Sequence, residues 1–203
     1  MSDIKFDMDY VMNLASEMSK NNAVSYDELP KYDLFLSQVI DYLNDKFTEE
    51  KYTNNIVQNY IKSDVISKPE DGKKRGYTKI HLIQLVLLSY MRPLLTAEEI
   101  KKVFRLAFND INDREDDILE WESAYKIFAD VQRDSLDSFL ATPLCDNGKL
   151  EQIIEELNLE DKDKVRIRTF IIVMSLIAQA SVIKKLVQKV VKDYNEEFKS
   201  EDQ

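Results

Sequence analysis

Glycine and proline are scarce, 3 and 4 among 203 residues. A large sheet with many tight turns needs more of both, so the shortage argues against a turn-rich β fold and for helices. There is one cysteine, Cys145, which excludes an internal disulfide and suits a reducing compartment. The only histidine, His81, stands one residue off an apolar stripe and reads as a cap or surface residue rather than a metal ligand. No phosphate loop, dinucleotide-binding glycines or nucleophile elbow is present, so no catalytic residues, no enzyme activity and no cofactor are expected. A calcium loop starting at Asp110 fails as well. Its sixth position is Glu115 where glycine is needed, and its twelfth is Trp121 where glutamate is needed.

Long apolar runs are also missing. The opening residues contain none, so no secretory signal is expected. The longest, Phe170 to Ile183, is interrupted by Ser175, Gln179 and Ser181 and falls short of the roughly 20 residues that span a bilayer. The expectation is a buried helix, no membrane and a cytoplasmic protein. Positive charge is in deficit overall, with a formal charge of -10. The deficit is uneven. Lys51 to Arg105 hold 11 Lys/Arg against 5 Asp/Glu, a net of +6, which leaves -16 for the rest. A basic segment on an acidic body is the footprint a small nucleic-acid reader would leave.

What is present is helical periodicity. Ile4, Met8, Val11, Met12, Ala15 and Met18 mark a first helix over about 1–20, and Phe35, Leu36, Val39, Ile40 and Leu43 a second over about 31–46. Thr53 is placed to cap a short helix, and Thr78 a strongly apolar one ending near Met91 that should be the centre of the core. Thr96 to Glu99 form a capping box for a helix reaching Phe108. Beyond the acidic stretch 109–117, helices are expected at 118–140, 149–157 and 161–198.

The short helix carries the functional expectation. Ile56, Val57, Tyr60 and Ile61 form one apolar stripe, and Asn54, Asn55, Gln58, Asn59 and Lys62 form the opposite face. Asn and Gln can read adenine edges and Lys can read guanine or hold a phosphate, so this face suits a recognition helix; a polar solvent face is the other reading. Lys68, Lys73, Lys74 and Arg75 follow around Gly72 and Gly76, with Tyr77 next, as a basic wing would.

The run Tyr60, Lys62, Ile66, Pro69, Arg75, Tyr77, Thr78, Leu82, Thr96, Glu99 and Ile100 resembles the DNA-binding domain of MerR-type regulators, and more closely the DUF1836 family of bacterial proteins. The likeness covers about residues 29–108. Asn59 stands where the MerR pattern has arginine, and Asp64 where it has glycine. The resemblance implies an all-α protein with a winged helix-turn-helix core and a helical C-terminal region with a long last helix. It implies a sequence-specific transcriptional regulator, with residues 54–62 in the major groove of double-stranded DNA and 68–77 on phosphates. The alternative is a non-catalytic helical protein-interaction module that retains the same winged core. The expected organisation is an N-terminal helix (1–28), the winged domain (29–108) and a helical region (109–203) for packing or dimerisation.

In the last helix, Val173, Leu176, Ala180, Ile183, Val187, Val190 and Tyr194 recur at gaps of 3 and 4. This heptad stripe is either a seam between two copies in a homodimer or a core stripe within one chain. Ile171, Ile172, Ile177, Val182, Leu186 and Val191 widen the apolar surface and favour the second. Trp121, Tyr125 and Phe128 read as core aromatics.

Overall fold

A computed structural model describes residues 8–22, 24–69, 76–141 and 147–198. The elements are α1 (Met8–Asn22), a 3₁₀ turn (Tyr26–Glu28), α2 (Leu36–Lys46), α3 (Asn54–Lys62), α4 (Lys79–Met91), α5 (Ala97–Phe104), α6 (Trp121–Ala141), α7 (Asn147–Glu156) and α8 (Asp161–Phe198). The all-helical expectation holds. The chain divides into two compact units, 22–132 with 187–203, and 1–21 with 133–186.

The core of the first unit is built on α4. Seven of its residues are buried, from His81 to Leu88, because apolar side chains face every direction around it. Val39 and Leu43 of α2, Val57 and Ile61 of α3, and Ile100 and Phe104 of α5 close on the same cluster. Each such side chain, fully buried, contributes about 1.5–3 kcal/mol before entropy is charged. Trp121 of α6 completes one edge. It stacks on Phe108 with centroids 3.5 Å apart and meets Phe104 edge-on at 5.2 Å.

Local signals fix the helix starts. The Thr53 hydroxyl accepts the Ile56 N–H at the head of α3. At α5, Thr96 accepts the Glu99 N–H while the Glu99 carboxylate accepts the Thr96 N–H, a reciprocal box. His81 is fully buried and serves as a cap: its Nδ1 accepts the Thr78 N–H. Its Nε2 lies 3.2 Å from the Lys68 carbonyl, which can only accept, so Nε2 carries the proton. α2 begins at Leu36, later than its periodicity suggests, because Leu34 is drawn into a backbone bridge with Tyr77.

That bridge bears on the fold class. A winged helix-turn-helix requires a β-hairpin wing whose two arms pair with each other. Among the described residues there is no strand, only the isolated bridges Leu34–Tyr77 and Asp110–Asp113. The chain on either side of 70–75 is bonded elsewhere. The Ser67 N–H and hydroxyl both donate to Gln84 Oε1, at 3.0 and 2.8 Å. The Lys68 N–H donates to Asn112 Oδ1 at 2.9 Å. Tyr77 exchanges both backbone hydrogen bonds with Leu34. The winged, MerR-like expectation is therefore corrected to an all-helical fold.

The second unit is smaller. Leu150 and Ile154 of α7 and Ile172 of α8 are buried together, with Val11, Met12, Ile167, Ile171 and Leu176 packed around them. Arg168 donates twice to the Glu151 carboxylate, at 2.7 and 2.6 Å, and Lys164 donates to Glu155 at 2.6 Å. These pairs set the register of α7 on the first turns of α8.

Candidate functional site

Of the residues expected to read DNA, the structure describes those of α3 and Tyr77. Asn54, Asn55, Asn59 and Lys62 lie exposed on α3, as an amphipathic helix places them. Gln58 is half-buried and its Nε2 donates to the Tyr77 hydroxyl at 3.4 Å. Tyr77 is itself buried, and burial pushes its phenol above the ordinary value. A side chain closed into the core is withdrawn from phosphates. Lys73, Lys74 and Arg75 lie outside the described residues. With no paired arms among the described residues to form a wing, the reading of 54–62 and 68–77 as a DNA interface is overturned, and double-stranded DNA is dropped as a partner. The alternative falls too, since it rested on the same winged core.

The feature that departs most from an ordinary soluble surface is α8. Ten of its large apolar side chains are exposed: Val165, Phe170, Val173, Met174, Ile177, Val182, Ile183, Leu186, Val190 and Tyr194. On a typical monomer the largest apolar patch is about 300–600 Å².

Of the heptad stripe, Val173, Ala180, Ile183, Val190 and Tyr194 are exposed, and Leu176 and Val187 are half-buried. Ile172 and Val191 are buried against their own chain. The helix thus uses one side, Leu176 included, for its own fold and shows the rest of the heptad side outward. The breadth of its apolar surface pointed to burial, but α7 and α1 cover only the side bearing Ile167, Ile171, Ile172 and Leu176. Phe170 and Met174, absent from the expected stripe, join Val173 and Ile177 at i, i+3, i+4 and i+7. Their spacing was legible; their exposure was not, because periodicity does not say which apolar side is left over.

Charge is cleared from the flanks of the stripe. Ile172 and Val191 are held by their own chain, so with Val173, Ala180, Val187 and Tyr194 at a, and Leu176, Ile183 and Val190 at d, a parallel second copy meets Gln179 of each copy with Lys184 of the other. This is not a like-charge pair. Beyond the apolar centre, Lys189 and Lys192 are paired within the helix to Asp193 and Glu196, at 2.6 and 3.6 Å. The hydrogen bond it donates to Asp193 holds the Lys189 ammonium above its ordinary value.

Comparison with known proteins places residues 24–128 in a match to the family described as "Domain of unknown function (DUF1836)". The chain is also similar to a Bacillus subtilis (strain 168) protein described as "Uncharacterized protein YkrK", at 27% identity over 161 residues, 70% of this chain and 66% of that protein. The chain thus spans just under two thirds of that relative's length. No solved structure matches.

Proposed function

The chain belongs to the DUF1836 family, and on that footing we propose that it works as a non-catalytic homodimer, paired in parallel through the heptad side of α8. The observation that carries this reading is the exposed stripe Val173 to Tyr194 on a helix whose other side is already packed. The single cysteine suits the reducing interior of a bacterial cell, and the reading keeps the pair in the cytoplasm.

A bilayer is the competing solvent for such a surface. The stretch Asp161–Glu197 is long and apolar enough to cross a membrane by length and composition, and only 6% of its most apolar window is buried. Its uncharged stretch, however, runs only from Thr169 to Ile183, about 22 Å against the ~30 Å of a hydrocarbon core. Its first turns are ion-paired to α7 through Arg168 and Lys164. A second copy satisfies both facts better than lipid does.

The test is sedimentation velocity on the full chain. The expected mass is twice 23.8 kDa. Ile183→Glu, which would set two carboxylates facing each other at a d layer, should return it to a monomer with unchanged helicity. A wild-type monomer at about 100 μM, far above the Kd of a specific interface, would sink the proposal. Flotation of the wild type with anionic vesicles would instead assign α8 to membrane.

A further inference from the structure

A second feature lies wholly within the family-matched part, away from α8. Where the turn after α3 meets the end of α5 and the loop that follows, the surface folds into a cavity of about 350 Å³. That is within the range for small-molecule sites. We propose that this cavity binds a small zwitterion of the α-amino-acid class.

Three parts of the lining carry the inference. The first is a pair of cations. Lys101 and Arg105 line the cavity one helical turn apart, on the last turn of α5 and its C-cap. Arg105 is exposed, and its guanidinium has no hydrogen-bond or ion-pair partner among the described residues. Among the described residues, Lys101 has only a 3.4 Å contact with the exposed Glu98. Two under-used cations at i and i+4 present donors to a carboxylate.

The second part is a pair of carboxylates, Asp64 and Asp110. Asp64 is held at φ 50, the left-handed region that disfavours side chains other than Gly, Asn and Asp. The turn accepts this because the Val65 and Ile66 N–H groups both return to the Tyr60 carbonyl. The ion pair of Asp64 with Lys68 is long, 3.9 Å, between exposed groups, so the carboxylate remains available to an ammonium. Asn112 is fixed beside them by the Lys68 N–H donating to its Oδ1, and its Nδ2 donates to nothing among the described residues.

The third part is the floor. Phe104 and Phe108 line the cavity and are buried. Both rings are clamped from behind by Trp121, so the floor is rigid. The net formal charge of the lining is zero, two cations against two carboxylates. A simple anion or a simple amine would satisfy only half of it. A small molecule bearing both charges satisfies both halves.

The position of Trp121, the sole tryptophan, gives the readout. The full-length protein is titrated with L-leucine and L-methionine by calorimetry and by tryptophan fluorescence. The same is done with 4-methylpentanoate, which lacks the amine, and 3-methylbutylamine, which lacks the carboxylate. Saturable binding of leucine or methionine is expected, with each half-analogue at least about tenfold weaker, as loss of one charged contact implies. Arg105→Gln should weaken leucine about tenfold; this side chain holds no partner among the described residues, so folding is not at stake. Asp64→Asn keeps a residue suited to the left-handed backbone, and should weaken leucine about tenfold while leaving 4-methylpentanoate unchanged. No binding of either amino acid by about 10 mM overturns the proposal. So does 4-methylpentanoate binding as tightly as leucine, or leucine binding unaffected by both substitutions. The titration repeated on Ile183→Glu separates the two readings, since the cavity does not involve α8.

Discussion

Removing one hydroxyl should loosen the family domain by an amount the structure sets. Val24 is the first residue of the family-matched segment and is buried, yet it lies in no helix or strand. Its two backbone groups are held by tyrosines. The Tyr125 hydroxyl donates to the Val24 carbonyl at 2.7 Å, and the Val24 N–H donates to the Tyr90 hydroxyl at 3.3 Å. Tyr125 is fully buried. Tyr125→Phe keeps the ring and leaves a buried carbonyl without a donor, which costs about 1–3 kcal/mol. The short distance and full burial place the expected loss near the middle, about 2 kcal/mol, or about 4–8 °C in Tm for a chain of this size. Tyr90→Phe should cost less, about 1 kcal/mol, because its hydrogen bond is longer and partly exposed. Urea unfolding followed by Trp121, one turn from Tyr125, reads both. The double variant should lose less than the sum if the two hydroxyls hold Val24 as a unit. A loss under about 0.5 kcal/mol for Tyr125→Phe would mean that the carbonyl finds water, and would refute the clasp.

Thr96→Ala should destabilise by about 1 kcal/mol, read by the same unfolding curve, since it removes the acceptor for the Glu99 N–H and one of the Glu99 contacts. Alkali should unfold the first unit. Burial pushes Tyr42 up to about 12 and raises Tyr52, Tyr77, Tyr90 and Tyr125, while its hydrogen bond to Glu122 raises Tyr26. A raised folded-state value means that these phenols stabilise the fold fully below the unfolded value of about 10, and that the contribution is lost as pH rises past it. A titration at 295 nm should therefore show a late component that coincides with loss of helical signal. Complete ionisation by about pH 10.5 with the fold intact would contradict the burial of these rings.

Much of the local structure was legible. The Thr53 and Thr96 caps, the amphipathic face of α3 and the all-round apolarity of α4 are properties of neighbouring residues, so spacing alone reveals them. Family membership was legible on the same grounds, from an ordered set of residues between Tyr60 and Ile100. The functional inference failed where it needed partners distant in sequence. Basic residues between two glycines fit a wing only if the flanking arms pair, and Ser67, Lys68 and Tyr77 pair instead with Gln84, Asn112 and Leu34.

Composition and periodicity by themselves determined that this protein is helical, where most of its helices lie and which sides of them are apolar, because each depends on contacts within a turn or two of chain. Only the tertiary structure decided how that apolar surface is spent. Both sides of α8 are greasy enough for a core, but α1 and α7 are too small to cover more than one. The stripe from Val173 to Tyr194 stays outside, and the cavity beside Arg105 joins residues from 64 to 112 that no spacing connects. Burial is a competition among all elements for a limited interior, and its outcome is not written in any one of them.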